Sequence, residues 1–293
     1  MKQPHTDHSK SHTINIRLSN LHGGILKYSF RFLACAAIAA FAVPASAIFQ
    51  NGGFETGTFS GWTTGAGVNN GLTGAQPFNG ASLNIGSGGS FRGAVVTAGP
   101  DLKGAPLALP FAGTATARVN NTATGGIANF ISQADVITNA DRDAVDNKLH
   151  VRFSYAVVLN DGSHAPAGQP FFYLRVRNVT KNTVLLEDFS FAAQAGTQFQ
   201  PVPGQANWSY LPWKNADVVV PDADLGDSIE VYLLASDCEP TAHSGYAYLD
   251  GFGSAVVTPG ATTATAVPTL NEYMIAGLGV LLLGAAAISR RRA

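Results

Sequence analysis

Short stretches in which apolar and polar residues alternate run through the middle of the chain, and they predict β-strands. In residues 149–155 every second side chain is apolar and those between are polar, which is the pattern of a strand with one buried face. Gly, Asn, Asp and Pro, which favour turns, separate these stretches. The predicted strands are residues 94–97, 114–119, 127–136, 148–158, 171–179, 183–191, 216–220, 228–235 and 246–257.

Helical periodicity is missing from the same part of the sequence. No stretch of a dozen residues in 48–260 repeats its apolar side chains every three to four positions. Residues 127–136 come nearest to a helix, and we predict a strand there, followed by an acidic turn. The stretch 65–93 is rich in Gly, Asn and Ser, so long loops are expected. Many short strands joined by close turns predict an all-β domain over 48–257, a jelly-roll β-sandwich.

The N-terminal residues have the composition of a secretory signal peptide. Lys27 and Arg31 precede an apolar stretch at 32–43, and small residues lead up to Ala47. We therefore predict that residues 1–47 are a signal peptide with an extended polar n-region, cleaved after Ala47.

The C-terminal residues 267–293 combine a short motif, an apolar run and a basic end. The run at 274–288 has 15 residues. As a helix it would be about 22 Å long, against a bilayer hydrocarbon core of about 30 Å. The basic end of such a transmembrane helix favours the cytoplasm. A Thr- and Ala-rich linker at 258–266 is predicted to join it to the sandwich. The motif and the basic residues are Val267, Pro268, Thr269, Leu270, Arg290, Arg291 and Arg292.

This C-terminal pattern resembles the IPTL-CTERM sorting signal of Gram-negative bacteria, with Val267 in place of the usual Ile and Tyr273 in place of the usual Trp. The resemblance implies recognition by an exosortase-type membrane protease. It also implies at least transient anchoring in the inner membrane, followed by delivery to the cell surface or the extracellular matrix. The alternative is a plain single-pass tail anchor.

Charge and cysteine content restrict the function classes. Residues 48–266 contain ten Lys and Arg and seventeen Asp and Glu, which gives a net charge of −7. That balance disfavours nucleic acid as a partner, because nucleic-acid binding needs a basic surface. Cys35 lies in the predicted signal peptide, so the mature chain would keep only Cys238 and would form no intramolecular disulfide.

The two ends of the predicted sandwich carry a further pattern. Residues 51–57 read NGGFETG, and residues 245–252 read GYAYLDGF. This pairing resembles galactose-binding-like sandwiches and the carbohydrate-binding modules built on them. The resemblance implies that the first and last strands lie side by side. It also implies that Glu55 and Asp250 hold a structural calcium ion, with carbonyl oxygens near Gly53. The alternative is that Glu55 caps a turn and Asp250 is an acid at a strand end.

Residues 151–253 resemble a domain that recurs in bacterial cell-surface proteins. The resemblance implies a surface-displayed sandwich of the galactose-binding-like type, and it implies no known activity. The residues that carry it are 155–159, His164, the Gln-Pro-Phe-Phe at 169–172, Trp213, Asp237, Cys238, His243 and 245–250.

Four of these residues are predicted to form a loop-pinning motif, in which hydrogen bonds fix the loops: His164, Asp237, Cys238 and His243. Two alternatives stay open. Cys238 and His243 are separated by four residues, and with His164 they offer three ligands of the kind that zinc prefers, with Asp237 as a candidate fourth. The other alternative is a reactive thiol at Cys238.

Residues 207–213 hold the highest concentration of aromatic residues. Trp208 and Tyr210 share a face if the segment is extended, and exposed aromatic rings stack on the apolar faces of sugars. They are therefore candidates for a glycan-binding platform, with burial as the alternative. For Trp62 and Trp213 a position in the core is favoured.

No catalytic signature accompanies these features. The sequence lacks the Gly-x-Ser-x-Gly, His-Glu-x-x-His and phosphate-loop patterns, and its acidic residues lie mostly in predicted turns. We predict a non-enzymatic protein, an exported adhesive or matrix component that contacts extracellular polysaccharide. The alternatives are a purely structural surface protein without a small ligand and, third, a polysaccharide-active enzyme.

Overall fold

Two antiparallel six-stranded β-sheets pack face to face in the computed structural model, which describes residues 48–253. In spatial order, sheet A consists of β2 (Ile85–Gly86), β1 (Thr63–Asn69), β5 (Ile127–Val136), β11 (Ser228–Ser236), β7 (Phe171–Asn178) and β8 (Thr183–Phe191). Sheet B consists of β3 (Ala94–Val96), β4 (Thr116–Val119), β12 (Gly245–Gly253), β6 (Leu149–Asn160), β10 (Trp208–Val220) and β9 (Gln200–Pro201). In this part of the chain the helical segments are single 3-10 turns. The predicted all-β sandwich is confirmed.

The core lies between the two sheets, and the alternation seen in the sequence determines it. On β6 the side chains of Leu149, Val151, Phe153 and Tyr155 point inward and are buried. The residues between them face outward from sheet B. The same period of two places alternate residues of β7 and β11 in the core, because successive side chains of a strand point to opposite faces.

Two parts of the chain differ from the prediction. The stretch 65–93, expected to form long loops, contributes β2 and most of β1 to sheet A. β1 contains Gly65 and Gly67 and few large apolar residues, so its pairing with β5 identifies it as a strand and its composition does not. β10 begins at Trp208, earlier than the predicted 216, because a bulge between Leu211 and Lys214 interrupts its alternation without ending its pairing with β6.

The implied pairing of the first and last strands is wrong. β1 pairs with β2 and β5 in sheet A, whereas β12 pairs with β4 and β6 in sheet B. Instead, the segment before β1 packs against the end of β12. The rings of Phe49 and Trp62 lie 5.3 Å and 5.4 Å from that of Phe252. Trp62 is buried in the core, as predicted.

Several predicted segments lie outside the described residues. They are the signal peptide (1–47), the last residues of the predicted sandwich (254–257), the linker (258–266) and the sorting tail (267–293) with its motif and arginines. Within residues 48–253 the structure contains no helix with the length and apolar composition needed to cross a bilayer.

Candidate functional site

The predicted platform residues Trp208 and Tyr210 share the outer face of sheet B, but they are buried. Trp208 is 8% exposed and Tyr210 is 7% exposed. Both belong to an aromatic cluster with Tyr246 and Tyr248 of β12, which is separated from β10 by β6. The Lys103 ammonium lies 4.7 Å above the Trp208 ring. Trp208 and Tyr210 therefore do not form an exposed platform in this structure.

Residues 97–115, which we call the cover loop, lie over this aromatic cluster. Asp101 fixes the loop, because its carboxylate accepts hydrogen bonds from the hydroxyls of Tyr246 (3.0 Å) and Tyr248 (2.7 Å). The same carboxylate accepts bonds from two amides of the loop itself, at Lys103 and Ala105. Burial and the Asp101 charge raise the pKa of both tyrosines, so their hydroxyls stay protonated and act as donors.

Trp213, for which the core was favoured, is only half-buried and contacts the cover loop. Its ring lies 4.9 Å from that of Phe111, and its Nε1–H donates to the carbonyl oxygen of Ala108 at 2.8 Å. It therefore helps to hold the cover loop from outside the central core.

The outer face of sheet A carries a pair of aromatic rings that is less covered. Phe130 of β5 and Tyr232 of β11 are half-buried, and their rings lie 5.3 Å apart and are inclined by 25°. We call them the ring pair. The Phe130 ring extends over Gly65 of β1 into space that a Cβ at that position would need. A glycine in β1 is therefore what allows this ring to lean across the sheet.

Charged side chains border the ring pair. Arg175 of β7 places its guanidinium 5.5 Å from the centre of the Tyr232 ring and donates to Glu230 at 2.8 Å. Arg177 forms an ion pair with the same carboxylate, also at 2.8 Å. Burial raises the pKa of Tyr232, which keeps its hydroxyl protonated at neutral pH. This part of sheet A thus combines partly open rings with fixed hydrogen-bonding groups.

Sequence reasoning missed the ring pair because its two members come from strands 102 positions apart. The sequence did contain a signal for the ring pair. The predicted strands 127–136 and 228–235 each alternate, and each places one large ring, Phe130 or Tyr232, on its outward side. The neighbouring loop over residues 70–84 covers other aromatic residues of this face, among them Phe171 and Tyr173, and leaves the ring pair at its border.

Glu55 and Asp250, the implied calcium ligands, both contact the end of the cover loop. Asp250 accepts hydrogen bonds from the amides of Phe111 (3.0 Å) and Ala112 (3.1 Å), and Glu55 accepts bonds from the amide of Thr114. Burial, with the nearby Glu55 charge, raises the pKa of Asp250 to about 7 despite these amide bonds. The two carboxylates share one backbone segment, and a calcium ion held by them stays a prediction.

The structure brings together three residues of the predicted loop-pinning motif. His164 Nε2 lies 3.1 Å from His243 Nδ1, and Cys238 Sγ lies 3.8 Å from the same His243 atom. All three ligand atoms lie within 4.8 Å of one another. Cys238 is buried, whereas both histidines are half-buried. They come from two loops at one end of the sandwich, after β6 and after β11.

Asp237 belongs to a different network and points away from this cluster. Its buried carboxylate accepts bonds from the Asn120 side chain (3.0 Å) and the Ile127 amide (3.1 Å), and it forms an ion pair with Arg92. Burial raises the pKa of Asp237 to about 6, against the opposing effect of these donors. The suggestion that Asp237 is the fourth ligand beside Cys238 is therefore wrong.

A cleft of about 290 Å³ opens between the sheets beside β8 and β10. Its central carboxylate, Asp188, accepts a hydrogen bond from the Tyr155 hydroxyl and forms an ion pair with Lys214 at 2.9 Å. The Asp188 carboxylate is thus already paired, which is the arrangement of a structural ion pair.

Comparisons with known proteins give similarity of structure only. No protein-family model matches the chain. No curated protein matches it either. One similar solved structure is a family 61 carbohydrate-binding module in complex with β-1,4-galactotriose, with 13% identity, a TM-score of 0.37, and coverage of 71% of this chain and 97% of that one. Another is the K2 cleaved adhesin domain of Lys-gingipain, with 15% identity, a TM-score of 0.29, and coverage of 66% and 87%.

Proposed function

We propose that residues 48–253 form a glycan-binding module and that the ring pair, Phe130 and Tyr232, is its central contact surface. The observation that carries this proposal is a pair of nearly parallel, half-buried rings on an outer sheet face, bordered by charged groups. Trp208 and Tyr210, the candidates from the sequence, are buried and do not take this role.

The chemistry of the ring pair suits a sugar. One face of a pyranose ring presents C–H groups, which pack on the electron-rich face of an aromatic ring. The hydroxyls around the sugar edge need donors and acceptors at fixed positions. Arg175, Arg177 and Glu230 hold one another in place by ion pairs, so they offer such groups with little loss of side-chain entropy on binding.

Retention on immobilised polysaccharides, measured by affinity electrophoresis with the full-length protein in detergent, tests this proposal. Phe130→Ala and Tyr232→Ala are each expected to weaken retention by roughly tenfold or more, because each removes a stacking surface. Tyr232→Phe keeps the ring and is expected to keep most of the retention.

Val219→Ala is the matched control, because Val219 is 50% exposed and lies on β10 of sheet B, whereas the ring pair lies on sheet A. Its retention is expected to equal that of the unmodified protein. If the unmodified protein is retained by no glycan, the proposal fails and the alternative of a purely structural surface protein is favoured.

The wider role that we propose is that of an exported adhesive or matrix component. The signal-peptide pattern at 1–47 and the sorting pattern at 267–293 support export and processing by an exosortase-type protease. Mass spectrometry of the mature termini tests this part separately. Cleavage after Ala47 with loss of the terminal arginines is expected, and a mature protein that still ends in Arg292 and Ala293 would contradict processing.

A further inference from the structure

We propose that His164, Cys238 and His243 form a binding site for a divalent transition metal of the zinc class. This inference is independent of the proposed glycan binding, because the three residues lie on loops and the ring pair lies on the outer face of sheet A. Calcium is not the ion that such a site takes, since imidazole and thiolate prefer zinc, cobalt, nickel and copper.

Two of the three separations between ligand atoms are close to those of a tetrahedral site. With typical zinc bond lengths, two ligand nitrogens lie about 3.3 Å apart, and a nitrogen and a sulfur lie about 3.6 Å apart. The two histidine nitrogens are 3.1 Å apart, and Cys238 Sγ is 3.8 Å from His243 Nδ1. Both separations differ from the tetrahedral values by a few tenths of an ångström. The third separation, between His164 Nε2 and Cys238 Sγ, is within 4.8 Å.

Gly162 lies against both imidazole rings, where a residue with a side chain would not fit. A Cβ at this position would lie 2.5 Å from His164 Nε2 and 2.6 Å from His243 Nδ1. The backbone of Gly162 is not in the left-handed region, so backbone conformation does not require glycine here. The glycine leaves space for the two ligand nitrogens themselves.

Hydrogen bonds fix the turn that carries the other two ligands. The Cys238 amide donates to the carbonyl oxygen of His243 at 2.9 Å, and the His243 amide donates to Cys238 Sγ at 3.2 Å. Gln169, which is buried, holds the opposite loop through a bond to the carbonyl oxygen of His164. The ligands are thus positioned by their own loops before any ion binds, which lowers the entropic cost of binding.

Three protein ligands leave one position of a tetrahedral site open. His164 and His243 are half-buried, so water has access to that position from the solvent side. Asp237 does not supply the fourth ligand, because its carboxylate points into the network with Asn120 and Arg92. A site with three ligands and one water is the arrangement in which zinc remains accessible to an additional ligand.

Titration of the full-length protein with Co²⁺ tests the proposal, because cobalt bound by a thiolate in a tetrahedral site gives characteristic charge-transfer and visible absorption. We expect one such site per chain, with displacement of the signal by Zn²⁺. Cys35→Ser, which removes the other cysteine, is expected to keep the signal, and Cys238→Ser is expected to abolish it.

Two further variants separate a metal site from a site that only fixes loops. His164→Gln and Gly162→Ala are each expected to weaken cobalt binding by roughly tenfold or more, the first by loss of a ligand and the second by crowding the ligands. His150→Gln is the matched histidine control, since His150 of β6 contacts Asp217 of β10 and Asp146 of the preceding turn. The cobalt affinity of this variant is expected to equal that of the unmodified protein.

Thermal unfolding provides the second measurement. Zn²⁺ is expected to raise the melting temperature of the unmodified protein and not that of His164→Gln. If Co²⁺ gives no tetrahedral signal, or if His164→Gln binds it as well as the unmodified protein does, these residues only fix the loops and the proposal is overturned.

Discussion

The outer faces of the two sheets carry similar aromatic residues, which are buried on one sheet and half-buried on the other. On sheet B, Trp208, Tyr210, Tyr246 and Tyr248 are all buried beneath the cover loop. On sheet A, the ring pair lies at the border of its neighbouring loop and remains half-buried. The difference arises from the loops and not from the strands, because all six rings stand on outward positions of regular strands. An aromatic residue in a strand therefore indicates a binding surface only when no loop is fixed above it.

The first prediction contrasts one ring from each face. Tyr248→Ala is expected to lower the free energy of unfolding by about 4 kcal/mol, because it opens a cavity and removes a hydrogen bond to Asp101. Tyr232→Ala is expected to cost about 1.5 kcal/mol, because its ring is already partly in water. Urea unfolding measures both values. Equal losses would mean that the two faces are equally buried in solution.

The second prediction concerns a substitution that releases the cover loop. Asp101→Ala leaves two tyrosine hydroxyls and two amides without their acceptor, so a loss of about 3 kcal/mol is expected. Trp208 is then expected to become accessible to acrylamide in fluorescence quenching. Asp135→Ala, an acidic residue of β5 in sheet A, serves as the control. If quenching in Asp101→Ala equals that in the control, another contact holds the loop.

The third prediction concerns pH and the other end of the cover loop. The pKa of Asp250 is raised to about 7 in the folded protein, whereas an unfolded aspartate titrates near 3.9. The folded state therefore holds this proton more tightly, and stability is expected to fall as the pH rises from about 4 to about 7 and to level off above that. We expect Asp250 to contribute about 2.5 kcal/mol of this decrease between pH 5 and 7.5.

Urea unfolding of Asp250→Asn over the same pH range provides the comparison, since asparagine does not titrate. Its decrease in stability is expected to be smaller than that of the unmodified protein by this amount. Identical slopes would show that the Asp250 carboxyl is ionised throughout the range, as coordination of calcium by Asp250 would require.

Strands with large apolar residues could be predicted from the sequence, and those defined by pairing could not. Residues 127–136 were predicted with the bounds of β5, because Ile127 and Ile131 mark its inward face, although Asn129 and Gln133 of that face are polar. β1 was missed, because its glycines carry no side chain with which to show a period. β10 was cut short for another reason, since its bulge shifts the alternation while hydrogen bonding continues.

The candidate sites were predictable only where the partners lie on one strand. That Trp208 and Tyr210 share a face follows from their spacing, but their burial depends on a loop about a hundred residues earlier. The ring pair joins two strands that the sequence separates widely, and Gly65 of a third strand makes room for it. His164 approaches Cys238 and His243 because β6 and β11, which belong to different sheets, end at the same end of the sandwich, and spacing alone does not reveal this.

The position of the Phe130 ring over Gly65 of β1 has a consequence for how the sequence of such a protein can change in evolution. Outward positions beside the ring pair hold small residues, Thr63, Ser132 and Ala134, while alternate residues of the same strands, such as Ile131, hold the interior together. Substitutions at Thr63, Ser132 and Ala134 change the shape of the surface beside the ring pair and leave the core unchanged. A lineage built on this sheet can therefore alter this surface one residue at a time and still fold.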